Sequence, residues 1–462
     1  MKIVIIGNGI AGTTAARWVR KLDAAAEITL VSDETDYFFS RTALMYIYMG
    51  HMRRQDTQPY ENDFWGKNRI QLCRGRVQRV DFQAKTLHLT NAGETLPYDK
   101  LVLATGSRSN KFGWPGQDLD GVHGLYSMQD LDAMERHTAA GIGRAVVAGG
   151  GLIGIEMAEM FHSRRIPVTL LVREDSFWNS ALPAQESAMV NRHILAHGID
   201  LRLSSELDQI LDENKDGKAD AVVLKSGERI ECQFVGLTVG VSPNVDFLKT
   251  DAALRINKGI LVNNYLETSV PDVYAIGDCA ELETPQPGRR ATEAIWYTGK
   301  MMGETVAYNI TGSRVAYDPG IWFNSAKFLD IEYQVYGDIR VPLPEQQEAL
   351  YWEHPDGEKS VRIHFDKKSQ AVAGFQVMGI RYRQEVCERW IKEKTHIETV
   401  LQHLGLANFD PELYREYEMD VVRTYNQQFQ KNIPLQTRRS LNAVTRFRSE
   451  EHTSELQSHH PI

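Results

Sequence analysis

Lys2-Ile3-Val4-Ile5-Ile6-Gly7-Asn8-Gly9-Ile10-Ala11-Gly12 opens the chain. The apolar run has the pattern of a strand buried in a parallel sheet. The glycines that follow have G-x-G-x-x-G spacing and lead into a helical stretch, Thr13 to Leu22. Ile28-Thr29-Leu30-Val31 reads as the next strand and ends at Ser32-Asp33-Glu34. This is a strand–helix–strand unit. A second copy lies further along. Its strand is Ala145-Val146-Val147-Ala148, and its turn is Gly149-Gly150-Gly151-Leu152-Ile153-Gly154. A helix from Ile155 to Ser163 and a strand from Val168 to Val172 complete it.

A lone G-x-G-x-x-G is weak evidence, but here both copies have the strand before and the helix after that the motif requires. The first glycine permits a tight turn. The second lets the backbone approach a pyrophosphate, and the third lets helix and strand pack closely. The helix N-terminus then faces the negative charge. Asp33 and Glu34 are equal candidates for the ribose hydroxyls. Two such units imply two dinucleotides. The simplest chemistry joining them is hydride passage from a nicotinamide to a flavin.

Outward from these turns, Leu101 to Gly106 and Tyr274 to Asp278 read as strands that end in tight turns. From Tyr317 the texture changes. Leu350 to Glu353, Ser360 to Phe365 and Ala371 to Val377 read as strands. A helix follows with Val386, Trp390 and Ile391 on one face, then Ile397, Val400, Leu401 and Leu404. This is a separate α+β domain.

The 462 residues fit about three domains. Hydrophobic residues at 42% and charged residues at 24% exclude collagenous and wholly disordered chains. A net charge of −9 argues against a nucleic-acid partner held by a general basic field. No run approaches the roughly 18 apolar residues of a membrane helix, and the opening apolar stretch is too short for a signal peptide. Cys73, Cys232, Cys279 and Cys387 form no C-x-x-C pair, which predicts no metal site and a reducing, cytoplasmic location. Arg448 to Ser458 resembles an in-frame translation of a sequencing-adapter oligonucleotide. Residues 448–462 are therefore read as non-native and left out of the fold.

Taken together, the motifs resemble those of the two-dinucleotide-binding flavoproteins of the pyridine nucleotide-disulfide oxidoreductase superfamily. The resemblance covers roughly residues 1–310. It implies an α/β fold with two Rossmann-like domains, one inserted in the other, and a C-terminal α+β domain. The FAD-binding domain would comprise residues 1–115 and 243–318, the NAD(P)-binding domain 116–242, and the C-terminal domain 319–447. Gly7, Gly9, Ala11 and Gly12 match the FAD fingerprint, with Asp33 or Glu34 at the ribose. Ala104-Thr105-Gly106 matches the family's ATG turn. Thr268 to Asp278 matches its second FAD motif, which implies Gly277 and Asp278 as FAD residues. Val77 is also implied in the FAD site. Gly149, Gly151, Ile153 and Gly154, with Glu156, match the nicotinamide fingerprint.

The departures locate the branch. By register, the redox cysteine of the coenzyme-A-disulfide reductase and NADH-peroxidase branch is Thr42 here. A hydroxyl cannot form the thiolate or sulfenic states of that chemistry. His354-Pro355-Asp356-Gly357-Glu358 mimics the His and Glu of disulfide reductases, but Pro-Asp-Gly between strand-like runs reads as a hairpin turn. What remains resembles ferredoxin and rubredoxin reductases and the flavin module of NAD(P)H nitrite reductases. In that branch Arg41 and Lys327 are implied to contact FAD. The lysine that ferredoxin reductases pair with the glutamate matching Glu156 is Tyr46 here, so Glu156 either pairs elsewhere, with Lys327 as one candidate, or simply sits in a helix. Val172-Arg173 resembles an NADPH pattern, with Arg173 on the 2′-phosphate, while Glu174 and Gly154 resemble NAD sites.

Two functions follow. The first is a cytoplasmic FAD-dependent NAD(P)H oxidoreductase that passes electrons to an external acceptor such as a small iron-sulfur protein. The alternative is an FAD- and NAD(P)-binding redox sensor or scaffold with little turnover. Catalysis would be centred on the flavin, with Glu156 and Lys327 as candidate side chains and no catalytic residue assigned. The sequence is silent on oligomeric state.

Overall fold

The computed structural model describes residues 1–90, 94–249, 252–409 and 415–434. The adapter-like stretch 448–462 lies outside them. One compact unit spans Met1–Ile331 and a second begins at Glu332.

The first unit holds two parallel sheets of the same design. In one, Lys2–Ile6 lies between Glu27–Ser32 and Lys100–Leu103, with Ile70–Arg74 and Val273–Ala275 at the edges. In the other, Ala145–Ala148 lies between Val168–Leu171 and Phe234–Leu237, with Asp200–Arg202 and Val122–His123 at the edges. The strand that enters each glycine turn is therefore covered on both sides. This explains its unbroken apolar run: Ile3 and Ile5 are fully buried, as are Ala145, Val146 and Val147.

Each turn feeds a helix, Ile10–Leu22 and Leu152–Ser163. Both begin about one turn earlier than the apolar pattern suggested, because Gly9 and Gly151 already take the cap positions. Helix Trp296–Ile310 packs across helix Ile10–Leu22. The approach is close enough that a Cβ on Gly303 would lie 2.5 Å from the Ala11 carbonyl oxygen. The unit also holds two three-stranded antiparallel sheets, Val77–Asp81 with Thr86–Leu89 and Thr95–Pro97, and Leu207–Leu211 with Ala221–Leu224 and Arg229–Glu231. Residues 323–330 belong to it as well. Phe328 is fully buried and packs edge-on against Phe177 and Trp178.

In the second unit, strand Ile331–Gly337 pairs antiparallel with Val372–Met378, which pairs with Ser360–Asp366, which pairs with Gln347–Glu353. Helices Gln384–Lys392 and Glu418–Phe429 cover the apolar face, with Trp390 on Phe375 and both Tyr425 and Phe429 on Phe365. The His354 stretch is the expected hairpin turn. The Gly357 N–H donates to the His354 carbonyl at 2.9 Å, and the His354 ring faces Asp356 inside the turn.

Candidate functional site

The first glycine turn is built by close backbone contacts. Gly7 has φ +112°, and a Cβ there would lie 2.0 Å from the Ala104 carbonyl oxygen. A Cβ on Gly12 would lie 2.0 Å from the Gly7 oxygen. Both positions exclude any side chain. Gly9 differs: an added Cβ meets nothing within 4 Å. The second turn repeats this. Gly149 has φ +131° and backs onto Thr238, Gly154 backs onto Gly149, and Gly151 is open. In both copies, then, the second glycine faces empty space at a helix start. Neither helix has a side-chain cap or an acidic residue in its first turn. Each leaves a bare, partly positive helix end with room for a phosphate group. The residues present fit two dinucleotides.

Three separate segments meet at the first turn. Gly7 rests on Ala104, and a Cβ on Gly277 would lie 3.0 Å from that of Ala11. The Ala104–Gly106 turn is itself tied to residue 244. Thr105 Oγ1 donates to the Asn244 carbonyl at 2.8 Å, and the Asn244 N–H donates to the Gly106 carbonyl at 2.9 Å. Beside this turn sits a polar cluster. The Asp278 carboxylate accepts from Ser107 Oγ at 3.1 Å and from the Tyr126 hydroxyl at 3.2 Å. The Tyr126 hydroxyl in turn accepts from the Ser107 N–H at 2.8 Å. Burial pushes the Asp278 carboxyl above the usual range, against those hydrogen bonds and the nearby Arg41 charge.

Arg41 stacks over the Tyr126 ring at 4.4 Å and donates to the Tyr126 carbonyl. It also forms a two-pronged pair with Glu34, at 2.8 and 2.6 Å. Burial works against the Arg41 charge, but Glu34 outweighs it and holds the guanidinium firmly protonated. Glu34 also accepts from the Met128 N–H at 3.0 Å. Its carboxylate is thus already engaged, whereas neighbouring Asp33 is exposed. The structure brings together Gly7, Gly9, Ala11, Gly12, Ala104, Gly106, Gly277 and Asp278, with Glu34 and Arg41 alongside. The Val77 side chain is buried in the core.

At the second turn, Val172 is fully buried and turns toward Gly150, whose added Cβ would lie 2.6 Å from it. Position 172 itself carries no carboxylate. Arg173 is exposed and paired with Glu174 at 2.8 Å. Glu156, on the helix leaving this turn, does not make the ion pair with Lys327. Lys327 binds Glu159 instead, at 2.7 Å, because Glu159 one turn on shares the face and lies nearer the lysine. Burial pushes the Glu156 carboxyl up to about 7, with Glu159 adding and Lys327 opposing. The Lys327 ammonium also lies 5.9 Å from the centre of the Tyr46 ring.

All four cysteines are free. Thr42, which the sequence resemblance puts in register with a redox cysteine, is exposed in the short helical turn Arg41–Ala43. Cys279 is fully buried beneath the Ala104 turn, its thiol directed at the Leu103 and Ile276 carbonyls, and burial pushes its pKa up.

Sequence reasoning missed Tyr126, Ser107 and Thr238, which join no motif. It also missed the buried Arg289–Glu293 pair at 2.6 Å, which receives Thr298 at the start of helix Trp296–Ile310. An Arg and a Glu four residues apart just ahead of a helix was the available signal.

The chain matches the family model for pyridine nucleotide-disulphide oxidoreductases over residues 1–303. Rhodocoxin reductase of Rhodococcus erythropolis is 31% identical over 332 residues, covering 71% of this chain and 76% of that protein. The ferredoxin–NAD(+) reductase component of the p-cumate 2,3-dioxygenase system of Pseudomonas putida is 28% identical over 406 residues, covering 86% and 94%. A solved NAD-dependent persulfide reductase from A. fulgidus superposes with a TM-score of 0.80 at 24% identity, covering 93% of this chain and 84% of that one, a likeness of fold.

Proposed function

The chain belongs to the pyridine nucleotide-disulphide oxidoreductase family, and we propose that within it the protein is an FAD-dependent NAD(P)H reductase that delivers electrons to a small iron-sulfur protein. One observation carries the reading: two glycine turns with open second glycines stand in a chain whose four cysteines are all free, three of them buried and Cys73 half-buried. Relatives named as reductases of ferredoxin-type partners support the class of acceptor.

When bound, FAD supplies the chemistry, accepting a hydride from the nicotinamide and releasing electrons outward. The chain's own task is to bind and orient. The bare helix ends at Gly9 and Gly151 hold the phosphates. Asp278, Thr105 and the Arg41–Glu34–Tyr126 cluster fix one face of the FAD site, and Asp33 takes the ribose. Glu34 serves by holding Arg41. Lys327 and Glu159 set the charge around Glu156, near the nicotinamide turn. We read residues 1–115 and 243–318 as the FAD-binding part and 116–242 as the nicotinamide part, because the strands of the two parallel sheets divide in that way. Arg173 and the lack of a carboxylate at Val172 favour NADPH, since an exposed pair such as Arg173–Glu174 is weak enough to open for a 2′-phosphate. No helix among the described residues is long and apolar enough to cross a membrane. Free thiols throughout favour the cytoplasm.

Anaerobic rapid mixing of the flavoprotein with NADPH and with NADH tests the proposal. Rapid bleaching of the flavin by at least one is the expected result. A flavin that stays oxidised with both, or is reduced only over many minutes, would favour the sensor reading and refute this one.

A further inference from the structure

Away from the glycine turns, two histidines and a carboxylate converge on one point. His193 and His197 lie one helical turn apart at the end of helix Ala184–Ala196, and Asp330 reaches them from the segment that follows Lys327. We propose that His193, His197 and Asp330 form a binding site for a borderline divalent transition metal of the Zn²⁺ class. The proposal goes beyond the reductase reading and stands without it.

Four observations carry it. First, His at i and i+4 on a helix places both rings on one face, the arrangement that zinc-binding helices use. Second, the donor atoms converge: one ligand atom from each of the three residues lies within 4.8 Å of the others. Asp330 Oδ1 contacts His193 Nε2 directly and lies 3.6 Å from His197 Nε2. Metal–ligand bonds of about 2.0–2.2 Å in tetrahedral geometry require ligand atoms roughly 3.3 Å apart. The Asp330 carboxylate is mostly exposed and can rotate to open the shorter contact.

Third, the tautomer of His197 is already set. Its Nδ1 lies 2.9 Å from the His193 carbonyl oxygen. A carbonyl only accepts, so Nδ1 carries the proton and Nε2 presents its lone pair. A backbone carbonyl holding the far ring nitrogen is the usual support behind a metal-binding histidine. Fourth, there is an entry path. A cleft lined by His162, Ser163, Pro167, His197, Gly198 and Ile199 opens beside the site and leaves room for water as further ligands. The two imidazoles and one carboxylate suit Zn²⁺, Co²⁺ or Ni²⁺ rather than Mg²⁺ or Ca²⁺. A bound ion would clip the turn at Asp330, which follows the Lys327–Glu159 pair, to the helix carrying His193.

The test uses the untagged flavoprotein, treated with chelator and then titrated calorimetrically with Zn²⁺ alone. Wild type is expected to take up a saturable equivalent. His197→Ala and Asp330→Asn, at exposed or partly exposed positions, should each weaken that equivalent by more than about tenfold while keeping wild-type flavin content. Asp120, His123 and His137 are the other His-containing cluster, and His137→Ala should retain the equivalent. Absence of saturable Zn²⁺ uptake in wild type would overturn the proposal. So would uptake unchanged in both His197→Ala and Asp330→Asn, or uptake abolished by His137→Ala.

Discussion

Alanine at Gly9 and at Gly12 should remove FAD for two different reasons. Gly9 has φ −71° and ψ −174°, which any residue adopts, and its added Cβ meets nothing within 4 Å. As a helix cap, glycine to alanine should cost under about 1 kcal/mol. At Gly12 the added Cβ would lie 2.0 Å from the Gly7 oxygen and 3.2 Å from an Ile5 methyl. The first contact is against a backbone oxygen and must open by more than about 1 Å, an overpacking that costs about 1–3 kcal/mol or more. At roughly 1–2 °C per kcal/mol in a unit running from Met1 to Ile331, FAD-free Gly12→Ala should melt about 2–5 °C below FAD-free wild type. FAD-free Gly9→Ala should stay within about 1–2 °C of wild type. Both should bind FAD at least about tenfold more weakly, because in Gly9→Ala the methyl occupies the space left for the pyrophosphate. Flavin absorbance per protein, reconstitution titrations and thermal unfolding of the stripped proteins provide the readouts. The reasoning fails if Gly9→Ala binds FAD as wild type does, or if its FAD-free form loses as much stability as Gly12→Ala.

Glu156, with its pKa pushed up to about 7, should make stability pH-dependent. A carboxyl raised above its unfolded value of about 4.3 favours folding at low pH, and that contribution is lost as pH rises from about 4 to about 7. Glu156→Gln should therefore raise the melting temperature at pH 8 and leave it nearly unchanged at pH 4.5; an equal shift at both would contradict the burial argument. Lys327→Met should strand the Glu159 carboxylate, which is 9% exposed, and destabilise by about 1–3 kcal/mol. A double-mutant cycle with Glu159→Gln should recover part of that loss. Arg173→Ala should raise KM for NADPH several-fold with little change for NADH, and equal effects on both would dismiss the 2′-phosphate role. Iodoacetamide under native conditions should leave flavin reduction intact, since Cys232, Cys279 and Cys387 are buried with raised pKa values, Cys232 to about 12, and burial also raises the pKa of half-buried Cys73.

The glycine turns were legible because their constraints are local. Gly7 and Gly12 contact each other within one turn, and the buried strand before them shows in the chain as an apolar run. Thr42 was equally legible, since an absent thiol is a fact of composition. What the sequence concealed depends on folding. Tyr126 joins Asp278 and Arg41 only because strands distant in sequence are neighbours in one unit, and no motif marks it. Glu34 and Asp33 looked equivalent as adjacent carboxylates, yet only Glu34 meets Arg41. The partner of Lys327 turned on a single helical turn, choosing Glu159 over Glu156. His193 and His197 carried a visible i, i+4 spacing, but Asp330 could not be paired with them from the sequence.

On the proposed function, reducing equivalents enter through the flavin and leave without a thiol. Anaerobic titration of the flavoprotein with NADPH, followed by mixing with an oxidised small ferredoxin, tests it most directly. The account predicts complete flavin reduction at about one nicotinamide per FAD and reoxidation by the ferredoxin at a rate unaffected by iodoacetamide. Uptake of a second equivalent per FAD, or transfer abolished by thiol alkylation, would contradict it.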